Sequence, residues 1–267
     1  MTLMGVRHKL EANRDEVILL YQSGLGCTRL ARHFGVHESS ITYFLKRHKV
    51  ATRGPRRYDV DEEFFNQLDT EAKAYTIGLW LADGCNMPQH PAIILQLVDL
   101  ELVEQIKLLL RYEGPIYEAL PRGFGKLPSF TLRISSRKLS DALVGHGCGR
   151  RKSKHINFPV SLDSSLYRHF IRGYMDGDGT ISCGSRGQWY SRIIGCCQMC
   201  QQLSLVVKMQ LGFGGSFCCV CKSKQLYGFG VYGHRQLKSY LDWLYDGATV
   251  YLRRKFAKYQ EFLRCIS

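Results

Sequence analysis

Apolar residues recur along the chain at two different periods, and the switches between them mark its elements. Residues 13–48 keep helical spacing: in CTRLARHFGVHESSITYFLKRH, Leu30, Ala31, Phe34, Val36, Ile41 and Phe44 form one apolar set, interrupted at Gly35. Helical apolar runs return at AYTIGLWLADGCN (74–86) and HFIRGYMDGDGTI (169–181), and again in DLELVEQIKLLLRY and QMCQQLSLVVKMQLGF. Between them the period falls to two. Ser129, Thr131, Arg133 and Ser135 oppose Phe130, Leu132 and Ile134; in residues 186–193, Arg186, Gln188, Tyr190 and Arg192 oppose Trp189 and Ile193. Such alternation predicts strands with one packed face and one polar, arginine-bearing face.

The order of these elements repeats. Each half opens with a helix ending in Asp-Gly, continues through strands, an amphipathic helix, more strands and another helix, and ends in a basic triplet, Arg150, Arg151 and Lys152 or Arg253, Arg254 and Lys255. A period near 100 residues predicts an α+β fold of two pseudo-symmetric αββαββα repeats, 58–160 and 161–267. Within the paired helices small residues stand four apart, Gly78 with Ala82 and Gly173 with Gly177, so each pair shares a helix face that a second helix can approach closely.

Asp83 and Asp178 then fall at adjoining helix ends, each followed by a glycine, Gly84 or Gly179, expected as a left-handed C-cap. The negative pole of a helix disfavours a carboxylate. Two carboxylates meeting at two such poles suit a hard divalent cation, Mg²⁺ above all. Accidental Asp-Gly turns are the plain alternative, and their duplication in matching surroundings counts against it.

Lys and Arg number 37 against 23 Asp and Glu, a formal charge of +14, which points to a polyanionic partner, nucleic acid being the commonest. Residues 1–50 resemble a helix-turn-helix, with Gly35 at the turn and a second helix that presents His37, Glu38, Ser39, Thr42, Tyr43 and Lys46; Ser39, Tyr43 and Lys46 are the candidate DNA contacts. Residues 51–57 form a short basic linker whose Arg53, Arg56 and Arg57 fit a minor-groove arm or an ordinary charged connection. On the predicted strands, Arg133, Arg186, Gln188, Tyr190 and Arg192 are the candidate base and phosphate contacts.

Residues 58–267, with both motifs in order, the repeated element pattern and the lead-in FFNQLDTEAKAYTIGLWLADG, resemble the LAGLIDADG homing endonucleases in their single-chain, two-repeat form, here with an appended helix-turn-helix. The resemblance implies motif helices packed on a pseudo-twofold axis and two saddle-shaped sheets straddling a long asymmetric site in double-stranded DNA. It further implies a monomer acting as a pseudo-dimer, and hydrolysis of both strands with Mg²⁺, for which Mn²⁺ substitutes. Asp83 and Asp178 would be the metal ligands, grouped with Gly84 and Gly179, and Lys152 and Lys255 the basic residues polarising the attacking water, or else plain phosphate contacts. One departure stands out: the first motif has Leu81 where the second has Asp176, which leaves uneven sites or single-strand nicking open. A non-cleaving transcriptional regulator and an RNA maturase are the competing functions on the same scaffold; the retention of both aspartates speaks against the regulator.

Cys197, Cys200, Cys218 and Cys221 have a zinc-like spacing, but the second pair falls in SFCCVCKSK, where a regular strand turns residues three apart to opposite faces. Structural zinc is not expected, and eleven cysteines without secretory features predict reduced thiols. No apolar run approaches the roughly 18 residues of a membrane helix, so a soluble, intracellular enzyme is expected. The chain begins MTL and ends RCIS without a terminal His-Asn pair, which fits a free-standing protein better than an intein.

Overall fold

The structure, a computed structural model, describes residues 3–51, 58–87, 91–121, 127–149, 156–159 and 161–266. Contacts divide the chain into two compact units at the boundary between 57 and 58.

The first unit holds four helices among its described residues, α1 (Leu3–Ala12), α2 (Arg14–Gln22), α3 (Cys27–Phe34) and α4 (Glu38–Arg47). Gly35 closes α3 in the left-handed region at φ 61°, which only glycine adopts freely, and three residues later α4 begins. The apolar set is buried as its spacing predicts, with Leu30 and Ile41 fully enclosed beside Val17 and Leu45. Helix α1 is an element the periodicity did not reveal; Leu10 is the one described side chain of α1 in the buried core, so its apolar signal is thin. The His37 ring caps α4, its Nδ1 accepting from the Ser39 amide at 3.3 Å.

The second unit runs α5 (Glu71–Asp83), β1 (Gly84–Asn86), β2 (Ala92–Leu97), α6 (Leu100–Leu109), β3 (Ile116–Ala119), β4 (Ser129–Ser135) and α7 (Arg137–Gly145), then α8 (Tyr167–Asp178), β5 (Gly179–Cys183), β6 (Trp189–Gly195), α9 (Cys197–Leu211), β7 (Ser216–Cys221), β8 (Leu226–Tyr232) and α10 (His234–Tyr245). Each half is αββαββα. Both sheets are antiparallel with the same connectivity, β1-β2-β4-β3 and β5-β6-β8-β7. A further helix, α11 (Arg253–Ile266), follows the second repeat and packs Phe262 against Trp189 at 5.7 Å between ring centres. No described helix is long and apolar enough to cross a membrane.

Helix α5 starts at Thr70, whose hydroxyl accepts from the Lys73 amide at 3.4 Å. From Ala74 to Leu81 every residue is buried, the signature of a helix enclosed on all sides. It lies against α8, likewise buried from His169 to Asp176. The inner sheet faces complete one core: Ile93, Leu95, Leu132 and Ile134 in the first repeat, Ile181, Ile193, Phe229 and Val231 in the second.

Three local expectations are corrected. Gly84 (φ −73°, ψ 163°) and Gly179 (φ −98°, ψ 172°) are extended, not left-handed, because each helix passes straight into a strand. The glycines serve space instead: a Cβ at Gly84 would strike the Trp80 indole, and one at Gly179 would lie 2.6 Å from both Met175 Cγ and its carbonyl oxygen. Arg186 and Gln188 belong to the β5–β6 turn rather than to a strand, with the Gly184 amide bonded to the Gln188 carbonyl at 2.8 Å and Gly187 at φ 80°. The alternation holds from Trp189 onward. Finally, β7 is not regular, since its register against β8 shifts between Cys219 and Cys221.

Candidate metal centre and nucleic-acid faces

Glycine decides how closely α5 and α8 meet. A Cβ on Gly78 would collide with the Phe170 carbonyl oxygen, and one on Gly173 with the Tyr75 carbonyl oxygen, so each glycine takes the backbone of the opposing helix against its bare Cα. Further along, a Cβ on Gly177 would sit 2.9 Å from Asp83 Oδ2. The first aspartate thus lies against the residue preceding the second. Asp83 and Asp178 are both exposed at these adjoining ends.

What offsets two acids at a negative helix pole is a cation from α11. Lys255 is buried, and its Nζ donates to the carbonyl oxygens of Met175, Asp176 (2.7 Å) and Gly177 (3.5 Å), the last turn of α8. Burial pulls its pKa down to about 8, while the charges of Asp176, Asp83 and Asp178 pull the other way. Its three donors are therefore spent on backbone, and it acts on the aspartates through its field. The matching Lys152 lies outside the described residues, as do Arg53, Arg56 and Arg57.

Beneath the surface pair lies a network that sequence reasoning missed. The Asp176 carboxylate, fully enclosed, accepts from the phenols of Tyr75 (2.7 Å) and Tyr245 (3.3 Å) and from the Leu252 amide (2.8 Å). Burial raises its pKa, against the pull of Lys255. Arg172, equally enclosed, donates to the carbonyls of Val250 (2.9 Å) and Leu244 (2.6 Å) and to Glu71 Oε1 (2.5 Å), and Glu71 accepts the Thr249 amide at 2.8 Å. The α5 start, α8 and the segment before α11 are thereby tied together. One signal was available: two charges, Arg172 and Asp176, sit inside an otherwise apolar run, where unpaired charges are not tolerated.

The outer face of the first sheet carries Arg133, exposed on β4, beside Thr131 and across from Ile94 and Gln96 on β2. On the second sheet Tyr190 and Arg192 share the outer face; Tyr190 stacks on Tyr232 at 6.1 Å, and Arg192 reaches over β8 toward Cys218 Sγ at 3.9 Å. Gly228 makes room, since a Cβ there would lie 3.2 Å from Arg192 Nε. Arg186 and Gln188 are exposed in the adjoining turn. In the first unit Ser39, Tyr43 and Lys46 are exposed on α4, while Thr42 is half-buried and Glu38 accepts from the Thr28 hydroxyl at 3.0 Å.

For a divalent cation the protein's own donors at this centre are two hard carboxylates. Among the described residues no group of three or more His, Cys, Asp or Glu converges. Mg²⁺ is ordinarily held by one or two carboxylates together with substrate phosphates and water, so the donor set fits that ion when nucleic acid is bound. The zinc-like thiols do not converge. The bulge in β7 undoes the simple alternation, pairing Cys218 with Gly228 and Cys221 with Leu226. Cys218 stands beside Arg192 on the outer face, whereas Cys200 is buried in α9 with its thiol on the Tyr227 carbonyl at 3.5 Å.

No protein-family model matches the chain. Among curated proteins, the DNA-directed RNA polymerase subunit Rpo1C of Methanocaldococcus jannaschii is 29% identical over 108 residues, 40% of this chain; the chain spans 12% of that relative's length. Among solved structures, the N-terminal LAGLIDADG domain of WhiA has a TM-score of 0.46 at 13% identity, covering 74% of this chain and 93% of that one. The LAGLIDADG homing endonuclease I-LtrWI, bound to its target DNA, has a TM-score of 0.48 at 15% identity, covering 76% and 90%. The LAGLIDADG homing endonuclease I-GzeII, in complex with its DNA target, reaches 0.51 at 12% identity over 72% of this chain and 88% of that one. With its two antiparallel four-stranded sheets and paired motif helices, the chain has the LAGLIDADG homing endonuclease fold.

Proposed function

We propose that the chain is a metal-dependent endonuclease that binds a long, asymmetric site in duplex DNA and hydrolyses a phosphodiester bond in each strand. The observation that carries this reading is the delivery of two exposed carboxylates, Asp83 and Asp178, to one place by helices whose glycines let them touch. A protein that only binds DNA gains nothing from acids gathered at negative helix ends, where they repel phosphate.

In this reading each aspartate is a cation ligand for one strand. A bound Mg²⁺ supplies positive charge for the phosphoryl oxygens and the leaving 3′ oxygen, and activates water. Lys255 sets the local field and holds the α8 terminus that carries Asp178. Lys152 is assigned the basic role in the first half. The sheets follow the grooves with Arg133, Tyr190 and Arg192, assisted by the turn residues Arg186 and Gln188. The first unit adds contacts through Ser39, Tyr43 and Lys46, and Arg53, Arg56 and Arg57 are assigned further contacts to the DNA. One chain suffices, because each repeat serves one half of the site.

The test is cleavage of a duplex pool drawn from the DNA flanking the gene, rejoined without it, with Mg²⁺ and with EDTA, for the native chain and for Asp83→Asn and Asp178→Asn. Discrete Mg²⁺-dependent double-strand cuts, reduced to nicks or lost in the variants, are expected. Specific binding without cleavage under Mg²⁺ or Mn²⁺ overturns the reading in favour of a DNA-binding regulator.

A further inference from the structure

Tyr174 stands one helical turn before Asp178 on α8, where side chains four apart share a face and the later one leans back toward the earlier. Its side chain is wholly buried, with the ring 6.4 Å from that of Phe170; its hydroxyl makes no well-aligned hydrogen bond, and burial together with the adjoining Asp178 carboxylate holds the phenol's pKa well above its ordinary value. The hydroxyl lies under Gly195, where a Cβ would come within 2.9 Å of it. Tyr174 lines a cleft of about 600 Å³ whose wall also includes Asp178, Ala82, Cys196, Cys197 and Lys224.

A buried hydroxyl without a well-aligned bond is unfavourable, and its place beside a carboxylate one turn along the helix marks that carboxylate as its acceptor. The equivalent position in the first repeat is Leu79, fully buried and without any donor. Gly78 matches Gly173 and Asp83 matches Asp178, and a further polar difference, Leu81 against Asp176, also places its polar residue in the second repeat. The hydroxyl one turn before the aspartate is thus confined to one half.

We propose that Tyr174 is a positioning residue of the Asp178 half-site, and that it makes the two half-sites unequal. Its O–H donates to the Asp178 oxygen that faces away from the cation, fixing the rotamer in which the other oxygen is a ligand. At Asp83 the equivalent position is Leu79, which has no hydroxyl to donate. The Asp178 half-site holds its cation more tightly and cuts its strand first. This rests on the nuclease reading above.

Tyr174→Phe removes the hydroxyl and keeps the ring. Because the lost group has no well-aligned bond in the resting protein, the variant is expected to fold and to melt within a few degrees of the native chain. With the duplex that the native chain cuts, labelled on each strand, Tyr174→Phe should raise the Mg²⁺ concentration for half-maximal cleavage of one strand by about tenfold. That strand is the one lost in Asp178→Asn, and the other strand should be unchanged. Mn²⁺ bound to the Asp83→Asn chain on the same duplex, followed by the resonance of free Mn²⁺, should weaken by a similar factor when Tyr174→Phe is added. In the Asp178→Asn background the substitution should have no effect. Native cleavage with equal strand rates and metal dependence in Tyr174→Phe overturns the assignment and leaves the nuclease reading standing. A native chain that cuts nothing under any divalent metal overturns both.

Discussion

The phenol of Tyr75 on α5 donates to the carboxylate of Asp176 on α8 at 2.7 Å, so the two repeats are joined through a hydrogen bond that only the second motif's sequence provides. The corresponding position in the first motif, Leu81, is an apolar side chain buried in the core. Asp176→Leu copies the first motif into the second, but it strips the acceptor from Tyr75, Tyr245 and the Leu252 amide and leaves Lys255 without its nearest buried anion. Removing one member of a buried, charged network costs about 3–5 kcal/mol. Urea unfolding should show a loss of that size for Asp176→Leu and a smaller one, about 1–3 kcal/mol, for Asp176→Asn, which keeps an acceptor. A Leu variant within about 1 kcal/mol of the native chain would refute the structural weight given to this carboxylate.

Gly173→Ala tests the helix crossing. The added methyl meets the Tyr75 carbonyl and approaches the Leu79 amide at 3.0 Å, and both are backbone atoms inside a helix that cannot swing aside. Alanine normally stabilises a helix interior by up to about 1 kcal/mol relative to glycine. Here overpacking should reverse the sign, with a net loss of about 1–3 kcal/mol in thermal or urea melts. Gly187→Ala, in an exposed turn with nothing near its Cα but with positive φ, is the control for backbone strain alone. Equal losses at the two positions would show that packing is not what Gly173 provides.

How much of this was legible beforehand follows from what leaves a mark in a sequence. The two motifs, their small-residue spacing and the repeat order were readable because each rests on a fixed helical or strand period, and the sheets and helices stand in the expected order. The cap at Gly84 and Gly179 was misjudged because Asp-Gly also serves where a helix runs directly into a strand and the glycine is required by a neighbouring indole or methionine. Arg186 and Gln188 kept the alternation of a strand by chance across a turn. Lys255 was recognised as important, but its seat on the α8 carbonyls depends on where α11 starts, and no local period encodes that. The same holds for Glu71 and Arg172, which are 101 residues apart in sequence and one hydrogen bond apart in space.

His169 makes the second unit sensitive to acid. Burial, then the charge of Arg172, lowers its pKa to about 4, with Glu71 opposing and Arg168 adding a little. In the unfolded chain the ring titrates near its ordinary value of about 6.5. Between these values the unfolded state holds more protons, so the stability due to a neutral His169 is complete above the unfolded value and declines as pH falls toward 4, by at most about 1.4 kcal/mol per pH unit. Glu71, whose pKa is lowered, also loses its contribution in acid, so the comparison must be differential. The stability gap between the native chain and His169→Gln, measured by urea unfolding from pH 7.5 to 4.5, should narrow steadily below pH 6.5. A gap independent of pH, or an imidazole that NMR finds charged at pH 5.5, would remove His169 from the account.

Arg133 on β4 and Arg192 on β6 lie on the outer faces of the two sheets, at non-equivalent strands, and they differ in exposure. Arg133 is exposed, whereas Arg192 is half-buried, laid across Gly228 with its guanidinium toward Cys218. A restrained guanidinium loses less conformational freedom on binding and presents its paired donors in fixed directions, which favours reading a base edge over neutralising a phosphate. Arg192→Ala should therefore cost about 1–3 kcal/mol in duplex affinity and relax sequence preference at one position, whereas Arg133→Ala should weaken all sequences alike and lower the salt slope by about one. Gly228→Val supplies an independent check, since its side chain would push Arg192 from its track without altering any charge. It should reproduce the relaxed preference of Arg192→Ala while leaving the salt slope unchanged. Anisotropy titrations of the selected duplex and its single-base variants at several salt concentrations separate these outcomes. If Arg192→Ala instead lowers the salt slope and spares the preference, the second sheet grips the backbone at this point and sequence is read elsewhere.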